Sequence, residues 1–311
     1  MIRTATETEI ANVACPMWAL LNDYSAWSGP PGQFNLTKSA VCAIVAHLAY
    51  CTIGADEKER RNRAKVVPCG AYQRLIEADD FDLPALLRTR ADFENVEIIR
   101  TRSFVAILIP VRQDRLFVGV RGTQFAYDWS INVNIIKSRN RGTDDYFHLG
   151  FMREAAKLAA ALQGHLQGRF GGRAVYVGGH SLGGAVAAIM NQWRSFEGCY
   201  TFGSPRIGNL SRLGYQYAPF ATRRHLDVVP HCPPAAFRYA DFPNQITPDG
   251  KPFQPADAIE LYFFGSWLLQ LSLGRFPEHH AIERYRLELL DALKRDPKIE
   301  SWIGKCPDVL I

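Results

Sequence analysis

The sequence predicts an α/β protein: a mostly parallel central sheet with helices on both faces, in one domain spanning residues 1–311. Three observations carry that prediction. From Val96 onward, short period-two runs alternate with stretches of helical period, the pattern of strands connected by crossover helices. The stretch from Val175 to Ala188 passes from β-formers through Gly178-Gly179 to an Ala-rich helical pattern. The chain of 311 residues, 47% hydrophobic and 22% charged, is also long and apolar enough for a sizeable core.

Taken in order, residues 1–34 read as a peripheral arm, with the turn signal Ser28-Gly29-Pro30-Pro31-Gly32 near its end. Thr37 to Tyr50 reads as a helix capped by Thr37, since Val41, Ile44, Val45 and Leu48 recur at helical spacing. The charged run from Asp56 to Lys65 predicts a second helix, and Asp82 to Arg90 a third, with Pro84 in its first turn. Val96–Thr101, Ser103–Ile109 and Leu116–Arg121 predict strands, the last two joined as a hairpin through Arg112-Gln113-Asp114-Arg115. Leu149–Gln167 predicts a long amphipathic helix. Cys199–Phe202 and Arg223–Val229 predict two further strands. Residues 242–256, broken by four prolines, read as an excursion. Ala256–Leu273 and Ala281–Lys294 predict the closing helices.

Composition narrows the function classes. The net charge is +5, from 36 basic and 31 acidic residues; the charges are scattered, and the densest run, Asp56 to Arg63, has no interleaved aromatics. That pattern does not predict a nucleic-acid partner. No run reaches the roughly 18 apolar residues of a membrane span. The seven cysteines are odd in number and contain no C-x-x-C, and Cys42 sits in an apolar run. Free buried thiols in a reducing, cytoplasmic setting are the expectation. Secretion is the alternative, although Glu7 and Glu9 do not suit the start of a signal peptide.

The chemistry centres on Gly179-His180-Ser181-Leu182-Gly183, a G-x-S-x-G between a strand and a helix. A serine at so sharp a turn needs small residues two before and two after it, so that strand and helix can approach. Its hydroxyl needs a base, and the base needs a group to hold its tautomer. At a nucleophile elbow of the α/β-hydrolase type these partners follow the serine in the order acid, then histidine. Asp227 is the candidate acid, because it ends a strand-like run before Val228-Val229-Pro230. Asp241 and Asp257 end no convincing sheet strand. His47, His148 and His165 precede the serine; His180, His225 and His231 read as structural. His280 is the candidate base, with His279 as the alternative. The N–H of Leu182 and that of Thr123, with its hydroxyl, are the candidate oxyanion donors. No metal or organic cofactor is called for.

These residues stand in an ordered set that resembles the class 3 lipases, the family of the filamentous-fungal triacylglycerol lipases. Val120-Arg121-Gly122-Thr123 is similar to the family's oxyanion motif, and Asp128-Trp129 to the segment near its lid. His148-Leu149-Gly150-Phe151 is similar to the motif before its long helix, and Gly179 to Gly184 to its elbow. Thr201 to Asn209, Asp227 to Pro230 and His280 to Tyr285 follow in family order. The resemblance implies an α/β-hydrolase fold, a serine carboxylester hydrolase acting on acylglycerols or related lipid esters, and a candidate lid at about 124–147. It places the nucleophile at Ser181, the acid at Asp227, the base at His280, and the oxyanion hole at Thr123 and Leu182. It implies a lipid ester substrate and transient contact with a lipid surface. A phospholipase A1, a short-chain esterase, or a lipase-like binding or signalling protein are the alternatives. The uncharged stretch Leu261–Gly274 reads as a buried packing helix, with an acyl-pocket wall as the second reading.

Overall fold

The computed structural model describes residues 7–22, 24–27, 32–51, 95–101, 104–112, 114–122, 137–139, 146–194, 196–209, 217–253 and 278–306. The helices expected at 56–65, 82–90 and 256–273 lie outside the described residues, as do Thr123, Asp257 and the greater part of the 124–147 segment.

In chain order the elements are α1 (Glu7–Leu21), α2 (Tyr24–Trp27), α3 (Leu36–Leu48), β1 (Glu97–Arg100), β2 (Val105–Val111), β3 (Arg115–Val120), β4 (Lys137–Arg139) and β5 (Tyr146–His148). Then come α4 (Leu149–Gln167), β6 (Ala174–His180), α5 (Leu182–Trp193), β7 (Gly198–Phe202), β8 (Phe220–Thr222), β9 (Asn244–Ile246), α6 (Ile282–Leu293) and α7 (Pro297–Ile303). Seven strands form one sheet in the order β1-β2-β3-β6-β7-β8-β9. The β1–β2–β3 meander is antiparallel. The four pairings from β3 to β9 are parallel, with Val118 opposite Val177, Gly178 opposite Tyr200, and Thr201 opposite Ala221. This is the mostly parallel central sheet, with helices on both faces, that the sequence predicts.

The two faces of the sheet are covered by different helices because side chains alternate along each strand. Phe117 and Tyr176 pack with α1, α3 and α6, alongside Met17, Ile44, Ile282 and Leu289. Val118, Val175 and Val177 point the other way and pack with α4 and α5, alongside Leu158, Leu162, Val186 and Ile189. Buried on both faces, β3 and β6 read as near-continuous apolar runs, as central parallel strands must.

Four expectations change. The described part of residues 1–34 is not a peripheral arm: Val13, Met17 and Leu20 of α1 are fully buried in the core. The cap of α3 is Asn35, whose Oδ1 accepts the Lys38 N–H at 2.9 Å, not Thr37. The helix ends at Leu48, with Ala49–Cys51 as a 3₁₀ turn. Residues 223–229 are not a strand. The strand is Phe220–Thr222, and the chain then turns, with the Asp227 N–H donating to the Arg224 carbonyl at 3.1 Å. The excursion after residue 242 carries the edge strand β9; Pro243 lies just before it and Pro248 just beyond, positions an edge tolerates.

The cysteines divide. Cys42, Cys199 and Cys232 are buried free thiols, as expected. Cys15 and Cys306 are not free: they form a disulfide across a sequence separation of 291 residues, tying α1 to the turn after α7. Spacing could not reveal the pair, because its partners meet only through the packing of α1 on α7. Among the described residues, no helix is long and apolar enough to cross a membrane.

Candidate active site

The sharp turn after β6 puts Ser181 at φ 55° and ψ −129°, a positive φ that a non-glycine residue adopts only where its surroundings hold it. Those surroundings are backbone: the Ser181 N–H donates to the Phe202 carbonyl on β7, and the Ser181 carbonyl accepts from the N–H groups of Gly184 and Ala185. The glycine spacing has the expected cause. A Cβ on Gly183 would stand 2.4 Å from the Val120 carbonyl oxygen, so the start of α5 lies directly on the end of β3.

Three sequence-selected residues bear on the serine's partners. Asp227 is fully buried in the turn after β8. Its Oδ1 accepts the Val229 N–H at 2.9 Å, and its Oδ2 lies 2.8 Å from His280 Nδ1. A carboxylate can only accept, so Nδ1 carries the proton and the neutral ring keeps its lone pair at Nε2. His280 is buried just before α6, whereas His279 beside it is exposed. It is the His280 ring that meets Asp227. Leu182 is the first residue of α5, where the first turn's N–H groups have no intrahelical acceptor. Asp241, the rejected acid, is engaged elsewhere. Its carboxylate takes a two-pronged hydrogen bond from Arg206 and another from Arg223. Burial works to raise the Asp241 pKa, but the two guanidiniums hold it below the usual carboxylate range. Arg206 also donates to the His231 and Pro233 carbonyls, which anchors the loop that follows Asp227.

Three contributors escape a sequence reading. The Tyr285 hydroxyl donates to Asp227 Oδ2 at 2.6 Å. Burial, and then the Asp227 charge, push its pKa well up, so it stays a donor. Gly203 has φ 57°, and a Cβ there would stand 2.7 Å from Asp227 Oδ2 and 3.0 Å from the His280 ring. That position admits only glycine if acid and base are to meet. His180, beside Ser181 in the elbow, packs with its ring centroid 4.7 Å from that of His280.

Two histidines are buried in the neutral form. His180 has its pKa lowered well below 6.5 by burial and then by His280. His47 has its own lowered well below 6.5 by burial and then by Arg286. The unfolded chain binds protons below about pH 6.5 that these folded sites refuse, so acid favours unfolding. Stability is expected to be level above pH 7 and to fall below pH 6.5, by up to about 1.4 kcal/mol per pH unit for each histidine, with Tm falling in step. Thermal melts from pH 8 to pH 5 check this; a level Tm across that range would refute neutral burial.

Comparison with known proteins finds partial matches. The family described as "Lipase (class 3)" matches residues 117–237, from β3 to beyond Asp227. The chain is 29% identical over 152 residues to the secreted mono- and diacylglycerol lipase 1 of Fusarium solani, covering 44% of this chain and 45% of that protein. It is 33% identical over 111 residues to a lipase of Caenorhabditis elegans, covering 30% and 31%. The chain thus spans less than half the length of either curated relative. Among solved structures, Lip2 lipase from Yarrowia lipolytica is 18% identical with a TM-score of 0.47, covering 66% of this chain and 77% of that one. Lipase II from Rhizopus niveus is 20% identical with a TM-score of 0.45, covering 66% and 76%. The chain is therefore similar to the class 3 lipases over residues 117–237, the segment that carries the elbow and the turn holding Asp227.

Proposed function

We propose that the protein is a serine carboxylester hydrolase acting on acylglycerols or related lipid esters, with Ser181 as nucleophile, His280 as base and Asp227 as orienting acid. The observation that carries this reading is the buried hydrogen bond from His280 Nδ1 to Asp227, which leaves the other ring nitrogen as a proton acceptor. In this mechanism the Ser181 oxygen adds to the ester carbonyl as His280 Nε2 takes its proton. The imidazolium then returns the proton to the leaving alcohol. Water repeats the sequence on the acyl-enzyme and releases the acid. The N–H of Leu182 and that of Thr123 would hold the negative oxygen of each tetrahedral intermediate. Asp227 stays ionised and balances the charge that forms on His280.

Lipid esters are favoured as substrates by the family match and by the mono- and diacylglycerol activity in the name of the Fusarium solani relative. Leu226, 55% exposed and next to Asp227, would offer an apolar contact to a lipid surface. We read the chain as a single domain with a lid within 124–147. Of that stretch, β4 pairs antiparallel with β5.

A fluorophosphonate probe tests the proposal. Stoichiometric labelling located at Ser181, with loss of activity on lipid esters in step with labelling, is the expected result. Intact protein that hydrolyses no ester and takes up no probe would point instead to a binding scaffold.

A further inference from the structure

We propose that Tyr50 is a positioning residue for this site: through His180 its hydroxyl sets the oxyanion loop and the base loop in register with each other. The inference rests on the ester-hydrolase reading above. Tyr50 lies in the 3₁₀ turn after α3 and is 1% exposed. Its oxygen accepts the Gly122 N–H at 2.9 Å and stands 2.8 Å from His180 Nδ1. The other nitrogen of that ring, Nε2, lies 2.7 Å from the His280 carbonyl oxygen.

The direction of every bond follows from donor and acceptor chemistry. A carbonyl only accepts, so His180 Nε2 carries the proton and donates. The neutral ring then has its lone pair at Nδ1, and the Tyr50 O–H donates to it. The tyrosine oxygen is left as the acceptor for Gly122. The result is a one-way chain from Gly122 N–H through Tyr50 and His180 to the His280 carbonyl, in which each bond polarises the next. The lowered pKa of His180 keeps the ring in the neutral form that this order requires.

The chain's members are placed where registration matters. Gly122 precedes Thr123, His180 precedes Ser181, and the final acceptor is the backbone of His280 itself. The packing leaves little slack: a Cβ on Gly122 would stand 2.6 Å from both the Tyr50 hydroxyl and the His180 carbonyl oxygen, and 2.9 Å from the Ser181 Cβ. Neither Tyr50 nor His180 need touch the substrate for this to work.

Tyr50→Phe removes one oxygen and keeps the ring. Removing an oxyanion donor outright costs about 10²–10³ in kcat, so a donor that is only loosened should cost about 10–100-fold. The expected result is that kcat on p-nitrophenyl esters falls by that factor with KM within about twofold. Affinity for a boronic acid that mimics the tetrahedral intermediate should fall in step with kcat. His180→Gln retains an N–H for the His280 carbonyl and loses the acceptor for Tyr50. It should lower kcat similarly, and the double variant should be little worse than either single one. A Tyr50→Phe protein with a lowered Tm but unchanged kcat would reduce the hydroxyl to a packing role and overturn the proposal, as would strictly multiplicative losses in the double variant. In the wild-type chain, ¹⁵N NMR should find His180 protonated at Nε2 and bare at Nδ1; protonation at Nδ1 would overturn it with no variant needed. Ser181→Ala, assayed alongside, separates the two readings. If it stays active, the ester-hydrolase reading fails. If it is inactive while Tyr50→Phe is unimpaired, only the present inference fails.

Discussion

Ser181→Ala is expected to lower kcat for ester hydrolysis by on the order of 10⁶-fold, with KM and Tm close to those of the wild type. The size follows from what is lost. Without the oxygen no acyl-enzyme forms, and the remaining rate is water attacking a substrate that is only bound and polarised. Stability should hold because the strain at this position comes from a backbone φ of 55° in a residue carrying a Cβ, and alanine keeps both. Neither of the elbow's bonds to β7 and α5 involves the hydroxyl, since both are made by the Ser181 main chain. A pH-stat assay on emulsified acylglycerol, with labelling by the fluorophosphonate as a second readout, checks the prediction. A variant retaining more than about 1% of wild-type turnover would remove Ser181 from the role of nucleophile.

Asp227→Asn is expected to cost about 10⁴-fold in kcat with little change in KM. The argument is one of proton placement. The Val229 N–H at 2.9 Å requires an acceptor at the first carboxyl oxygen, so an asparagine would turn its carbonyl there and its NH₂ toward His280. A donor facing Nδ1 forces the ring's proton onto Nε2, the atom that must accept from serine. The Tyr285 hydroxyl, 2.6 Å from the same position, would then face a donor in place of an acceptor. The effect should appear in the labelling rate as well as in turnover, because both need the serine deprotonated. Labelling as fast as in the wild type would mean that Asp227 does not orient the base.

How much of this was legible in the sequence depends on the range over which each feature acts. The elbow could be read because strand, serine and helix are contiguous and the glycine spacing is imposed locally. The hairpin of β2 and β3 and the long helix α4 could be read for the same reason: their periods are written along the segment itself. The meeting of Asp227 with His280 does not depend on the strand expected around it, since residues 223–229 form no strand. The apolar alternation of Leu226, Val228 and Val229 mimics a strand, while the chain is in fact turning, and the buried polar bonds of Arg223 and Asp227 account for those residues. α1 does not announce itself as a core helix, because its apolar residues gain meaning only when packed against α3. Tyr50 and Tyr285 left no local trace at all. Each is a single aromatic at or near a helix end, and each acts through a partner 130 and 58 residues distant in the chain.

The Cys15–Cys306 bridge has a consequence for biogenesis. One sulfur leaves the ribosome nearly a whole chain length before the other, which at about 5–20 residues per second is a wait of roughly 15–60 s. Throughout that interval Cys15 is an unmatched thiol, and Cys42, Cys51 and Cys69 emerge well before its proper mate. The correct ring can close only after translation has passed α7 and Cys306, so an oxidant that acts early would favour the wrong, shorter loops.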